Sequence, residues 1–208
     1  MPTSPGPLLT TLDALWRRLR AEVPELPPIR PIISPGTRPL AHGPERWAQD
    51  DEGYVTGLVV SVDVLQEGPE ATLLHVLHEA AHLLNWRRSI KDTTMRGAYH
   101  NQHFLSAAEE VGLIWPEGAQ RATSRGYDAP VLADAAKDRF APDLRALDAA
   151  IPLVLPHLEI PATTRVTRVD RLTLVCRCDP PRKVRVSRTV AAQGPIVCGV
   201  CREEFREE

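Results

Sequence analysis

The segment His78-Glu79-Ala80-Ala81-His82 is where this 208-residue chain can most directly do chemistry. In an α-helix, residues i and i+4 share a face, so His78 and His82 can aim two imidazoles at one metal ion. Glu79 is rotated by about 100° from His78 and lies beside such a site rather than in it. A carboxylate placed there suits a general base that takes a proton from water. Zinc supplies the rest of that chemistry: it lowers the pKa of a bound water to about 7 and polarises a carbonyl. The competing reading is two core histidines satisfied by hydrogen bonds. A helix that spends two imidazoles and a carboxylate on neighbouring positions favours the metal.

A catalytic zinc takes three protein ligands and keeps one position open. Downstream, Tyr99-His100-Asn101-Gln102-His103-Phe104 offers His100 and His103. The 18 positions from His82 to His100 leave room for one helix to finish and the chain to fold back. Tyr99 and His103 are also candidate donors to an oxyanion. His75, one turn before His78, reads as packing or ligand support. His42 and His157 lie in Pro-containing segments and carry no assignment.

A second cluster lies further on. Cys176-Arg177-Cys178 and Cys198-Gly199-Val200-Cys201 are two close pairs separated by 19 residues. Four thiolates at about 2.3 Å form a closed, tetrahedral structural zinc site. Two disulfides or four free thiols are the rival reading, weaker in a reducing compartment. Between residues 165 and 190, Arg165, Arg168, Arg171, Arg177, Arg182, Lys183, Arg185 and Arg188 meet only Asp170 and Asp179, a local net +6. Arg182, Lys183, Arg185 and Arg188 are candidate phosphate-binding residues, with a merely solvated face as the alternative. The acidic tail, Glu203, Glu204, Glu207 and Glu208, argues against a simple grip on nucleic acid.

These groups need elements to hold them. Residues 69–86 are apolar on almost every face, which reads as a buried helix with Pro69 in its first turn. Residues 88–98 are polar and hold Gly97, a loop. A second helix is expected from Asn101 to about Val111, ended by Gly112. A third helical stretch covers 130–150, with Pro142 able to divide it. Leu8, Leu9, Leu12, Leu15, Trp16 and Leu19 recur at helical spacing, giving an amphipathic packing helix. Short strands are expected at 29–33 and 57–62. Pro152, Pro156 and Pro161 suggest a linker over 152–162. Beyond it, 172–175, 183–187 and 195–197 alternate like strands flanking the cysteines.

Together these features resemble the SprT-like, or Spartan-type, zinc metallopeptidase family. The residues that carry the resemblance are Leu77-His78-Glu79-Ala80-Ala81-His82, a polar loop with Asp92, His100 followed at a short interval by the aromatic Phe104, and the cysteine pairs. It spans most of residues 55–205. It implies His100 as third zinc ligand, and a protein substrate that is DNA-associated in some members. Asn101 stands where the family often has Gly, and the first cysteine pair is C-x-C where C-x2-C is commoner. The expected fold is α+β: a zincin-like metallopeptidase domain over residues 1–160, with a short sheet packed on the metal helices, then a zinc ribbon over 162–208. Two zinc ions are expected, one catalytic and one structural. The alternative function is a zinc-binding nucleic-acid or transcription-associated factor without peptidase activity.

Composition bounds these readings. The hydrophobic fraction of 43% suffices for a core, but at 5% aromatics the packing must rest on Leu, Val and Ala. Twenty prolines, about double average usage, imply many turns and extended connections. A net charge of −2 makes no global case for nucleic acid. No run of about 18 apolar residues exists, and residues 1–20 lack a signal-peptide layout, so a cytoplasmic location without a membrane partner is expected.

Overall fold

The computed structural model describes residues 6–34, 47–94, 97–158 and 171–207. His42, Arg165, Arg168, Asp170, Glu208 and the end of the expected linker, 159–162, lie outside these. Among the described residues there are seven α-helices and nine short strands. The chain divides into two compact units, Met1–Pro161 and Ala162–Glu208. No described helix is long and apolar enough to cross a membrane.

The first unit begins with α1, Gly6–Glu22, which buries Leu8, Leu12, Leu15, Trp16 and Leu19 along one stripe. Each fully buried Leu is worth about 2 kcal/mol against exposure, so the stripe dictates how the helix lies. Two strands follow, β1 (Ile32–Ser34) and β2 (Val59–Ser61), paired in parallel with Ile33 opposite Val60. Both are shorter than the sequence suggests. Residues upstream of each, Ile29 and Val55, meet in a single parallel bridge instead. Helix α2, Val62–Gln66, starts on the Ser61 side chain, which accepts the Val64 N–H.

Helix α3, Pro69–Arg87, is the axis of the unit. Gly68 precedes it at φ +99°, a conformation costly for other residues, and Pro69 fits the first turn, where no N–H is required. Ten of its residues are buried, from Thr72 to Asn85, including Glu79 and both sides of the His78–His82 face. Strands β3 (Thr93–Thr94), within the stretch read as loop, and β4 (Tyr99–His100), just beyond it, pair antiparallel. That pairing was invisible because each strand is two residues long.

Helix α4, Gln102–Val111, packs on α3 and ends at Gly112, which is left-handed at φ +106°. Its cap is Asn101, whose side chain accepts the N–H groups of His103 and Phe104 at 2.8 and 3.3 Å. Asn is among the best N-cap residues. Asn at this position therefore has a local use. Strands β5 (Leu113–Ile114) and β6 (Val131–Leu132) then pair antiparallel.

The third helical stretch is divided, as Pro142 suggests. Helix α5, Asp134–Arg139, meets α6, Ala141–Val154, at Phe140, and Pro142 occupies the first turn of α6. Pro152 does not start a linker: it sits inside α6, which continues into a 3-10 turn at Leu155–His157. The ring costs one helical hydrogen bond near the end, where burial of Leu147, Ala150, Ile151 and Val154 holds the helix in place. Arg18 of α1 reaches the buried carboxylate of Asp143 in α6 at 2.7 Å.

The second unit is a three-stranded antiparallel sheet in the order β8-β7-β9. Its strands are β7 (Arg171–Val175), β8 (Lys183–Ser187) and β9 (Arg206–Glu207), with a one-turn helix α7, Arg188–Ala191, after β8. Residues 195–197, read as a strand, contribute only a bridge from Val197 to Glu204. Pro195 has no N–H to give a ladder, and the turn at 198–202 returns the chain so that β9 takes the place beside β7. Leu174, Cys176, Cys198 and Phe205 are its buried core.

Candidate metal centre

The three histidines meet. Nε2 of His82 lies 3.2 Å from Nε2 of His78 and 3.2 Å from Nε2 of His100. Tetrahedral zinc ligands at ~2.0–2.1 Å stand roughly 3.3 Å apart, so these spacings fit one ion. His78 and His82 arrive from consecutive turns of α3, and His100 from β4. Phe104, fully buried one turn into α4, lies under all three rings at centroid distances of 4.7, 4.7 and 4.5 Å. The aromatic residue after His100 is thus the floor of the cluster.

Each imidazole must be neutral to bind metal. Burial, and then the neighbouring His82, hold the His100 pKa down to about 4. Its Nδ1 is buried without a hydrogen-bond partner. A ring so placed is a neutral imidazole at neutral pH, and three imidazole nitrogens facing one point form a donor set that suits zinc.

Glu79 lies on the adjoining face of α3 and is 8% exposed. Tyr99 precedes His100 in β4, so its side chain leaves on the opposite face, and its ring lies by Gly126. His103 is exposed in the first turn of α4, and its carbonyl accepts Asn85 Nδ2 at 3.0 Å. His75 directs Nε2 to the Val59 carbonyl at 2.8 Å, fastening β2 to α3.

Other residues that position the cluster carry weaker signals in the sequence. Asn85 is a buried polar residue in an apolar helix, one turn beyond His82; that mismatch was its signal. Asp92 stands in the polar loop with Oδ2 at 2.7 Å from His82 Nδ1. Gly126 had no signal. It forms a parallel bridge with His100, whose N–H donates to the Arg125 carbonyl and whose carbonyl accepts the Tyr127 N–H. Gly126 has φ +69°, and an added Cβ would collide with the His100 carbonyl oxygen. Gly126→Ala is therefore expected to push β4 aside. It should destabilise the first unit by at least about 1–2 kcal/mol and weaken zinc retention at the histidines, read by thermal melts and metal content. A variant with unchanged melting and metal content would show that this backbone approach is not needed.

The four cysteines also converge, with Sγ atoms within 4.8 Å of one another. Cys178 Sγ and Cys198 Sγ are 3.8 Å apart, and thiolates at ~2.3 Å around a tetrahedral zinc stand roughly 3.8 Å apart. Backbone N–H groups of Cys201 and Val200 aim at Cys198 and hold its thiol down to about 6, while the adjacent Cys176 pushes Cys178 up to about 12. The Arg182 N–H donates to Cys176 Sγ at 3.4 Å, and its guanidinium approaches Cys198 Sγ at 3.8 Å. Arg182 is thus turned toward the cysteines. In register, Lys183 lies opposite Val175, which lies opposite Arg206, while Arg185 lies opposite Thr173. Lys183, Arg185 and Arg206 therefore share the sheet face away from Leu172, Leu174, Val184 and Val186. Arg188 is at the start of α7 instead.

Comparison with protein-family models, curated proteins and solved structures returns no match. The functional reading therefore rests on the two clusters: an α+β chain with a histidine triad and a four-cysteine cluster, each consistent with zinc.

Proposed function

We propose that this chain is a zinc-dependent metallopeptidase of the SprT-like kind, acting on a protein substrate, with a zincin-like catalytic domain and a structural zinc ribbon. The observation that carries the reading is the convergence of His78, His82 and His100 at metal-ligand spacing beside the buried Glu79. These histidines would hold the catalytic ion, and Cys176, Cys178, Cys198 and Cys201 the structural one. Zinc would supply a Lewis acid for the scissile carbonyl and would lower the pKa of water to about 7. Glu79 takes the proton from the attacking water and passes it to the leaving amine. Tyr99 and His103 are proposed as oxyanion donors only if substrate binding moves them inward, because one ring leaves on the far face of β4 and the other faces solvent. The test is metal content with hydrolysis. Two zinc ions per chain, and cleavage of an unfolded protein that chelation stops and zinc restores, would support the reading. One zinc confined to residues 171–207, with no cleavage, would remove it.

We propose nucleic acid as the accompanying partner, on the strength of the basic sheet face. Lys183→Glu with Arg185→Glu should weaken DNA binding and flatten the plot of log K against log salt by roughly 0.9 for each phosphate no longer neutralised. Titrations of labelled duplex at several salt concentrations would measure it. Binding that is absent or insensitive to salt in the parent chain would mean a merely solvated face.

A further inference from the structure

We infer that Asp92 is the positioning residue that makes His82 a metal ligand, and that Asn85 holds Asp92 in place to do so. The inference rests on the zinc reading above and adds to it the selection of the ring's tautomer.

His82 is the central member of the triad, since its Nε2 is the atom close to both others. An imidazole ligates through a bare nitrogen, so the proton of neutral His82 must sit on Nδ1. Asp92 Oδ2 lies 2.7 Å from that Nδ1, at the short end expected for a bond to a charged acceptor. A carboxylate can only accept here. It therefore keeps the proton on Nδ1, leaves the Nε2 lone pair facing His78 and His100, and fixes the plane of the ring. Such carboxylate partners also raise ligand basicity.

Asp92 is itself held from two sides. Asn85, 2% exposed, extends Nδ2 to Asp92 Oδ2 at 3.4 Å and to the His103 carbonyl at 3.0 Å. Asn101 donates its backbone N–H to the Asp92 carbonyl at 2.9 Å and its side chain to the Lys91 carbonyl at 2.9 Å. Both asparagines stand beside ligand-bearing segments: Asn85 is three residues after His82 in α3, and Asn101 follows His100. Folding α4 onto α3 thus sets the carboxylate and the third ligand together. His82 and Asp92 are 12% and 13% exposed, so water competes little for either.

The test uses the full chain and zinc itself, titrated against a chromophoric chelator, with cobalt substitution as the spectroscopic readout. The cysteine site gives strong thiolate charge-transfer bands and serves as an internal standard. The amide of Asp92→Asn can turn its NH2 to Nδ1 and favour the tautomer that cannot ligate. We expect this variant to bind zinc at the histidine site about 10–100-fold more weakly, with its thiolate bands unchanged. Asn85→Ala, which leaves Asp92 present without its side-chain partner, should lose a smaller factor, still above about threefold, and it carries the test if Asp92→Asn does not give a cooperative melt. Histidine-site affinity within threefold of the parent in whichever variant folds overturns the positioning role. A parent chain that takes up zinc only at the cysteines overturns the zinc reading itself, and this inference with it. The two failures are distinguishable because only the second appears without a substitution.

Discussion

Glu79→Gln is expected to lower peptide hydrolysis by about 10²–10⁴-fold, mostly in kcat, while both zinc ions stay bound. Gln keeps the shape of Glu but exchanges one acceptor oxygen for an NH2 donor and cannot take a proton from water. Glu79 contributes no atom to the histidine triad, so the metal should not notice the change. Stability should not fall either. The residue is 8% exposed, and replacing a buried carboxylate with a neutral isostere removes a desolvation cost. Activity, metal content and melting temperature measured on one preparation therefore separate a lost base from a lost site. Cleavage at the parent rate, with zinc present, would remove Glu79 from the proposed mechanism. A loss of zinc together with activity would mean that Glu79 holds the site together instead.

The parts of this arrangement that the sequence made legible are those governed by local periodicity. His78 and His82 share a face because any α-helix puts i and i+4 together, and residues 69–86 could hardly be anything but a buried helix. The N-cap at Asn101 and the left-handed stop at Gly112 obey rules of similar range. His100 was different. Its choice over His103 came from family resemblance, and in the structure His100 joins the triad while His103 is exposed. What the sequence hid was tertiary. Gly126 lies 26 positions beyond His100, and nothing local indicates that its missing Cβ makes room for that residue's carbonyl. Strands β3 and β4 have two residues each, too few for alternation to register. Pro152 shows the converse error, a strong local signal outweighed by the burial of the helix around it. In the second unit, the cysteine spacing was readable, but β9 was not. Its place depends on how the 198–202 turn returns the chain, and so Arg206 was absent from the basic set read along the sequence.

Removing zinc, or replacing Cys198 with Ser, should unfold residues 171–207 while leaving the first unit folded. The reason is the size of the two cores. In the first unit, Leu, Val, Ala and Phe side chains from α1, α3, α4 and α6 form one continuous apolar cluster. In the second, the buried residues among those described are Leu174, Phe205 and two of the cysteines themselves. A fold of this size without an adequate apolar interior needs a metal or a disulfide, and binding of structural zinc supplies about 10–16 kcal/mol in small zinc modules. The thiols show where that energy enters. Cys198 is held down to about 6 by backbone N–H groups, yet Cys178 is pushed up to about 12 by its neighbour Cys176. Four sulfurs this close cannot all carry negative charge unless a cation lies among them. Without the metal, Cys178 stays protonated, and the negative charge favoured at Cys198 has only N–H groups and the Arg182 guanidinium to face it within a small buried core. Hydrogen exchange on the full chain, with and without a chelator, would show fast exchange throughout 171–207 and retained protection in α1, α3 and α6. Protection of β7 and β8 that survives both chelation and Cys198→Ser would mean that the ribbon is held by its apolar residues, and the four-cysteine cluster would no longer be needed to explain the fold.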